Sequence, residues 1–208
     1  MQALSPLVTL AGALALAGAL AAAAPSIPDR PGLSRARMIE YAARHAAAHA
    51  AGPPPAHTGG FGEPTCAVCH DELELNAPGG SIEIEGLPTE FEPGEAYDVT
   101  IVLHSDEMRA AGFQAGVRAS SGPEVGRSAG RLVSLDERTD VVTEAGVAYI
   151  QHTRAGTDAS PRSASWTFRW VAPDPAIPAT LHVAANSANG DDSPLGDLIY
   201  SRRLEIGR

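Results

Sequence analysis

The chain from residue 80 onward predicts a mainly β fold in which antiparallel sheets form a β-sandwich. Short runs that alternate apolar and polar residues recur through this stretch, and the clearest is Trp166-Thr167-Phe168-Arg169-Trp170. Turn signals such as Glu92-Pro93-Gly94-Glu95 and Asn189-Gly190-Asp191-Asp192 separate the runs. Many short strands with turns between them are typical of an antiparallel sandwich.

Segments with this strand pattern follow one another to the end of the chain. In the first of them, Ile82 and Ile84 alternate with Glu83 and Glu85, which indicates one buried and one solvated face. The predicted strands are Ser81–Leu87, Tyr97–His104, Gly112–Ser120, Gly130–Leu135, Val147–Thr153, Ser165–Val171, Thr180–Ala188 and Leu198–Ile206.

The residues before the sandwich divide into an export signal and a lead. An apolar, alanine-rich run ends in small residues before Pro25, so residues 1–24 are predicted to be a signal peptide, with an uncleaved anchor as the alternative. Residues 25–55 form a lead rich in proline and alanine, with a short helix over residues 34–51. Residues 56–208 are then the sandwich domain, and we expect the protein in the periplasm or at the cell surface.

Both cysteines of the chain lie in one pentapeptide, Cys66-Ala67-Val68-Cys69-His70. Cys-x-x-Cys-His is the signature of covalent c-type haem attachment. Each thiol adds to one vinyl group of the haem, and the histidine becomes the proximal iron ligand. The motif therefore predicts one haem c held by Cys66 and Cys69, with His70 on the iron.

Three other interpretations of the cysteine pair stay open. A thioredoxin-type dithiol follows a strand in a βαβ unit, whereas Pro53-Pro54-Pro55 and several glycines precede this motif. A structural zinc site needs about four ligands, and the chain has no second pair of cysteines. A disulfide would be permitted in an exported protein, although the ring that it closes here is short.

The charge of the chain limits its partners. The formal net charge is −10, and the chain contains no lysine. This balance argues against nucleic acid and anionic lipid as partners, and it suits a basic redox partner. A charge that serves solubility alone is the simpler explanation. We expect no stable membrane insertion after the signal is cleaved.

A series of short motifs follows in fixed order along the chain. The motifs are Thr58-Gly59-Gly60-Phe61-Gly62-Glu63, Cys66-Ala67-Val68-Cys69-His70, Tyr97 before a strand, Gly112-Phe113-Gln114, Tyr149-Ile150-Gln151-His152-Thr153, Trp166–Pro173, Ala188-Asn189-Gly190 and Gly196–Tyr200. The series resembles the bacterial Reeler-like exported proteins that carry one Cys-x-x-Cys-His motif, often called choice-of-anchor domain proteins. The resemblance covers roughly residues 56–202 and implies an Ig-like/Reeler-like β-sandwich and a haem, but no defined activity.

The second axial ligand of the iron has several candidates. We favour His152, because it belongs to a motif strand and a strand holds a ligand rigidly, although a structural histidine is a serious alternative. Met108 is the second choice, and methionine would raise the reduction potential. His57, His104, the helical pair at residues 45 and 49, and an open site holding water complete the set.

The preferred function is that of an exported monohaem electron carrier with a redox partner protein. No acid–base or nucleophile constellation is visible, so we predict no enzymatic activity. The alternative is a cell-surface binding or adhesion sandwich in which the haem is structural or sensory. Asp191, Asp192 and Asp197 could bind calcium, but turn formation explains them better.

Overall fold

Two antiparallel sheets make up the fold. The computed structural model describes residues 49–191 and 193–207, and nine strands lie in this part of the chain. One sheet has four strands in the order β1-β2-β7-β4, and the other has five in the order β5-β6-β3-β8-β9. The strands are β1 (Gly80–Glu85), β2 (Ala96–Ser105), β3 (Ala110–Ala119), β4 (Arg131–Ser134), β5 (Thr139–Glu144), β6 (Val147–His152), β7 (Ser163–Val171), β8 (Ala179–Ala188) and β9 (Leu198–Ile206).

The sheets share one hydrophobic core. Phe113 of β3 stacks on Trp166 of β7 with ring centroids 4.6 Å apart, which joins the five-stranded sheet to the four-stranded sheet. The indole N–H of Trp166 donates to the carbonyl of Gly156, so this large ring is buried without an unsatisfied donor. The predicted β-sandwich is confirmed.

All eight predicted strands are present, with ends that differ by up to two residues. The structure adds β5, which the sequence pattern missed. This strand pairs with β6 at the edge of the five-stranded sheet, and its valines Val141 and Val142 are only half-buried. An edge strand with little burial carries no clear alternation, because most of its side chains contact solvent.

One strand is covered on both faces. In β3 the core residues alternate with Gly112, Gln114, Gly116 and Arg118, and these also lie away from solvent except for the half-buried arginine. The segment from His49 onward covers this outer face of the five-stranded sheet. The loop that carries the Cys66–His70 motif, called the motif loop below, therefore lies on the outside of the sandwich, over the middle strands of the larger sheet.

The predicted signal peptide and most of the predicted helix at residues 34–51 lie outside the described residues. Within residues 49–191 and 193–207, no helix is long and apolar enough to cross a membrane.

Candidate functional site

A cavity of about 240 Å³ lies where the motif loop meets the outer face of the five-stranded sheet. Cys66, Cys69 and His70 line it together, and His152 lines it from the end of β6. The sequence-predicted haem motif and the favoured distal histidine thus reach one cavity. Much of the remaining wall is apolar or small, including Pro53, Pro54, Ala110, Ala111, Gly112 and Phe113.

A single turn of 3₁₀-helix, Cys66–Val68, shapes the motif. The hydroxyl of Thr65 accepts a hydrogen bond from the N–H of Ala67 at 3.2 Å and so caps the turn. The N–H groups of Cys69 and His70 both donate to the carbonyl of Cys66. Cys66, Cys69 and His70 thus line the cavity from one short segment, and both cysteines are free thiols.

The thiol of Cys66 is poorly suited to dithiol redox chemistry. Burial raises the pKa of this thiol to about 12, with a smaller contribution from the neighbouring Cys69. Reactive cysteines of redox motifs have a lowered pKa instead, because the thiolate is the nucleophile. The raised pKa of Cys66 weighs against the thioredoxin-type interpretation.

The imidazole of His70 is held by a buried carboxylate. Nδ1 of His70 lies 2.8 Å from Oδ2 of Asp197, a residue that is only 2% exposed. The other oxygen of Asp197 accepts the N–H of Asn189 at 3.0 Å, which fixes the carboxylate in turn. Because a carboxylate oxygen accepts hydrogen bonds, this contact places a proton on Nδ1 of His70, and the neutral form of the ring then has its lone pair on Nε2. Histidines that bind metal ions are typically oriented in this way.

Asn186 completes the surroundings of His70. Its amide nitrogen lies 3.2 Å from Asp197 and 3.4 Å from each ring nitrogen of His70, so the contact with the ring is weak. Sequence analysis missed Asn186 and assigned Asp197 to turn formation. The signal was present in the paired motifs Ala188-Asn189-Gly190 and Gly196–Tyr200, which flank one turn.

His152 has backbone partners for both ring nitrogens. Nδ1 lies 3.0 Å from the backbone nitrogen and 3.1 Å from the carbonyl oxygen of Phe113, and Nε2 lies 3.1 Å from the carbonyl oxygen of His49. Burial lowers the pKa of this imidazole, which favours the neutral form. Its role as an iron ligand stays a prediction, and these hydrogen bonds weigh against it because ligation would require Nε2 to leave His49.

Met108 is part of the hydrophobic core. Its side chain is 6% exposed, and the residue does not line the cavity. Met108 lies in a loop, as the sequence predicts, but its side chain packs in the core, which the polar residues around it did not indicate. His104 lies on β2 of the other sheet, 3.6 Å from Glu83.

A buried glutamine fastens the approach to the motif. Gln114 of β3 is fully buried, and its Oε1 accepts the N–H of His57 at 2.7 Å. Its Nε2 lies 3.0 Å from the carbonyl of Pro54 and 2.9 Å from Oε1 of Gln151. The side-chain amide thus binds the chain in front of the motif to the sheet.

The Thr58–Glu63 turn is fixed by a second cluster. Glu63 accepts hydrogen bonds from Arg118, Tyr149 and Thr58, the last at 2.7 Å. The guanidinium of Arg118 also lies 4.5 Å from the ring centroid of Phe61. Burial, together with the nearby Glu63 carboxylate, raises the pKa of the Tyr149 hydroxyl. Thr58, Phe61 and Glu63 of the first sequence motif therefore hold the loop in place, and they do not line the cavity.

Nothing in the described residues favours the calcium alternative. Asp191 accepts the N–H of Ser193 at 2.9 Å, as an ordinary turn residue does, and Asp192 lies outside the described residues. Within residues 49–191 and 193–207, no group of three or more His, Cys, Asp or Glu side chains is arranged to hold a metal ion by itself.

The chain is similar in fold to several solved structures. No protein-family model and no curated protein matches it. The reeler domain of human F-spondin is 20% identical with a TM-score of 0.40, over 64% of this chain and 92% of that one. A cohesin module from a Clostridium perfringens family 33 glycoside hydrolase is 16% identical with a TM-score of 0.41, over 63% and 98%. At these values we draw no functional argument from either.

Proposed function

We propose that the chain is an exported monohaem c-type protein that transfers electrons. The observation that carries the proposal is the joint placement of Cys66, Cys69 and His70 on one cavity, with His70 held by the buried Asp197. A bound haem supplies one-electron chemistry at its iron.

The residues present fit that group. Two free thiols on one helical turn are what two thioether bonds require. His70 keeps a lone pair on Nε2, and Asp197 fixes both its tautomer and its orientation. The apolar wall contributed by β3 offers the low-polarity surroundings in which a macrocycle packs.

With haem bound, electrons would enter and leave through an exposed edge of the haem. The cavity, at about 240 Å³, is smaller than pockets that enclose a typical ligand, which start at about 300 Å³. Val68, Leu73 and Leu75 are exposed apolar side chains in and just after the motif, and acidic residues 71, 72 and 74 accompany them. A redox partner with a basic, partly apolar surface would fit this region, and we place both proteins outside the cytoplasm.

Covalent haem attachment is the decisive test. We expect the chain, expressed with a c-type maturation system, to retain haem on a haem-stained denaturing gel. The Cys66→Ala/Cys69→Ala double variant should lose it, because no thioether can form. Val68→Ala, which changes the same turn but keeps both thiols, is the matched control and should retain it. A wild-type chain that never carries covalent haem would refute the proposal.

A further inference from the structure

We propose that His57 is the second protein ligand of the haem iron. This inference rests on the proposed function and selects among the histidines of its site. Besides His70, three histidines line the cavity: His49, His57 and His152. The state of each ring nitrogen distinguishes them, because a ligand must offer a nitrogen with a free lone pair.

The ring of His57 has the nitrogen arrangement of a metal ligand. Its Nδ1 lies 2.9 Å from the carbonyl oxygen of Pro55. A carbonyl only accepts, so Nδ1 carries the proton and the neutral ring keeps its lone pair on Nε2. Within the described part of the chain, Nε2 of His57 has no hydrogen-bond partner. His70 shows the same arrangement, with Asp197 in place of the carbonyl.

His152 lacks such a nitrogen. Nδ1 of His152 lies 3.0 Å from the backbone nitrogen and 3.1 Å from the carbonyl oxygen of Phe113, and Nε2 lies 3.1 Å from the carbonyl oxygen of His49, so a backbone group occupies each ring nitrogen. Ligation would remove the hydrogen bond to His49 and leave that carbonyl without its partner. His57 can bind without breaking a hydrogen bond of the described structure.

The backbone of His57 is fixed to the sheet. Its N–H donates to the buried amide of Gln114, and that amide also binds the carbonyl of Pro54. The three prolines before it restrict the chain further, because each fixes its own φ. The two proposed ligands are thus anchored to β3 and to the β8–β9 turn by Gln114 and Asp197, respectively. Rigid ligands suit a carrier whose iron changes oxidation state.

The test uses the full chain with covalent haem. We expect the ferric wild type to be six-coordinate and low-spin, without the far-red absorption band of methionine ligation. His57→Ala should lose the low-spin signal in electron paramagnetic resonance and gain binding of carbon monoxide in the ferrous form. His57→Met should stay low-spin and gain the far-red band. Each variant is checked on a haem-stained gel and by circular dichroism.

Control variants separate the alternatives. His152→Gln keeps an acceptor for Phe113 and a donor for His49, so it should stay low-spin; Met108→Leu and His49→Ala should do the same. Retention of the low-spin signal in His57→Ala, or its loss in His152→Gln or His49→Ala alone, overturns the assignment while the haem proposal stands. If His57→Ala does not fold, His57→Met is the test: a far-red band supports the assignment, and its absence contradicts it.

A measurement without haem gives an independent readout. In the Cys66→Ala/Cys69→Ala variant, ¹⁵N nuclear magnetic resonance should show His57 as the Nδ1–H tautomer. An Nε2–H tautomer would contradict the inference, because the proposed donor atom would then carry the proton. A wild type without covalent haem refutes the proposed function and this inference with it, and the gel identifies that case.

Discussion

At the scale of single residues, the partner of each histidine decides what the histidine can do. His70, His57 and His152 all line one cavity, yet their ring nitrogens have different partners. A carboxylate holds His70, the carbonyl of Pro55 holds His57, and backbone groups lie at both ring nitrogens of His152. Residue type alone gives all three the same potential as ligands. The hydrogen bond on the second ring nitrogen makes the difference.

Asp197 should set the reduction potential of the proposed haem. A carboxylate that accepts the Nδ1 proton of His70 makes the imidazole more basic, which favours ferric iron. Asp197→Asn keeps an acceptor for Asn189 but removes the charge, so we expect the potential to rise in protein-film voltammetry. Loss of the charge-assisted hydrogen bond should also lower the free energy of unfolding by about 1.5–3 kcal/mol.

A carboxylate on the other sheet provides the control. Asp98 pairs with Arg169 at 2.7 Å on the solvent-exposed surface, and the hydrogen bond from Arg169 holds the pKa of Asp98 below its usual value. Asp98→Asn therefore removes one negative charge at a distance from His70, and the potential should be unchanged. An equal rise in both variants would show that net charge, and not the contact with His70, determines the effect.

At the scale of elements, the motif loop owes its position to side chains of the larger sheet. The 3₁₀-turn carries few contacts of its own, since none of its residues is fully buried. Gln114 binds the segment before the motif at His57. Glu63, at the end of the Thr58–Glu63 turn, accepts hydrogen bonds from Arg118 and Tyr149 and so holds that turn on the sheet. A loop of this kind needs polar anchors, because it lacks apolar side chains to bury.

Removal of the Gln114 amide should release this loop. In Gln114→Leu, the N–H of His57 and the carbonyl of Pro54 lose their partners, which costs about 0.5–1.5 kcal/mol for each of these partly buried hydrogen bonds. We expect the His57 amide to lose protection from hydrogen exchange, while the amides of β2 and β7 keep theirs. Thr100→Val, which removes a hydroxyl pair with Thr167 on the other sheet, should leave the His57 amide protected. Unchanged protection in Gln114→Leu would contradict the anchoring role.

At the scale of the whole molecule, the buried His152 and the half-buried His182 tie stability to pH. Burial lowers the pKa of His152 and of His182, and for His182 the nearby Arg203 and Arg118 lower it further. Below the unfolded-state pKa of about 6.5, the unfolded chain binds protons that the folded protein binds only at lower pH. The free energy of unfolding is therefore highest above that pH and falls as the pH decreases from it.

Urea unfolding at several pH values checks this dependence. The haem-free Cys66→Ala/Cys69→Ala background keeps bound haem from contributing. We expect the free energy of unfolding to decrease from pH 7 to about pH 5, and His152→Gln to reduce that slope because one lowered pKa is removed. His104→Gln, a change at a half-exposed ring on β2, should leave the slope as it is. The same slope in His152→Gln and the parent would contradict the linkage.

The sequence by itself determined the local properties of this protein. The Cys66–His70 motif is a contiguous pentapeptide, and eight of the nine strands in the described residues show an alternation that can be recognised within a few residues. Such features depend on neighbours along the chain, so spacing and periodicity suffice to predict them. β5 was not predicted, because a half-buried strand at the edge of a sheet shows little alternation of apolar and polar residues.

Only the tertiary structure decided which distant groups meet at the motif. The pairing of β3 with β8, and of β8 with β9, brings Gln114 and Asp197 to the same side of the sandwich as the loop. In that arrangement Asp197 pairs with His70, both ring nitrogens of His152 contact backbone groups, and Met108 packs in the core. No local pattern encodes these contacts, because strand order and register fix them, and both arise from the packing of the whole core.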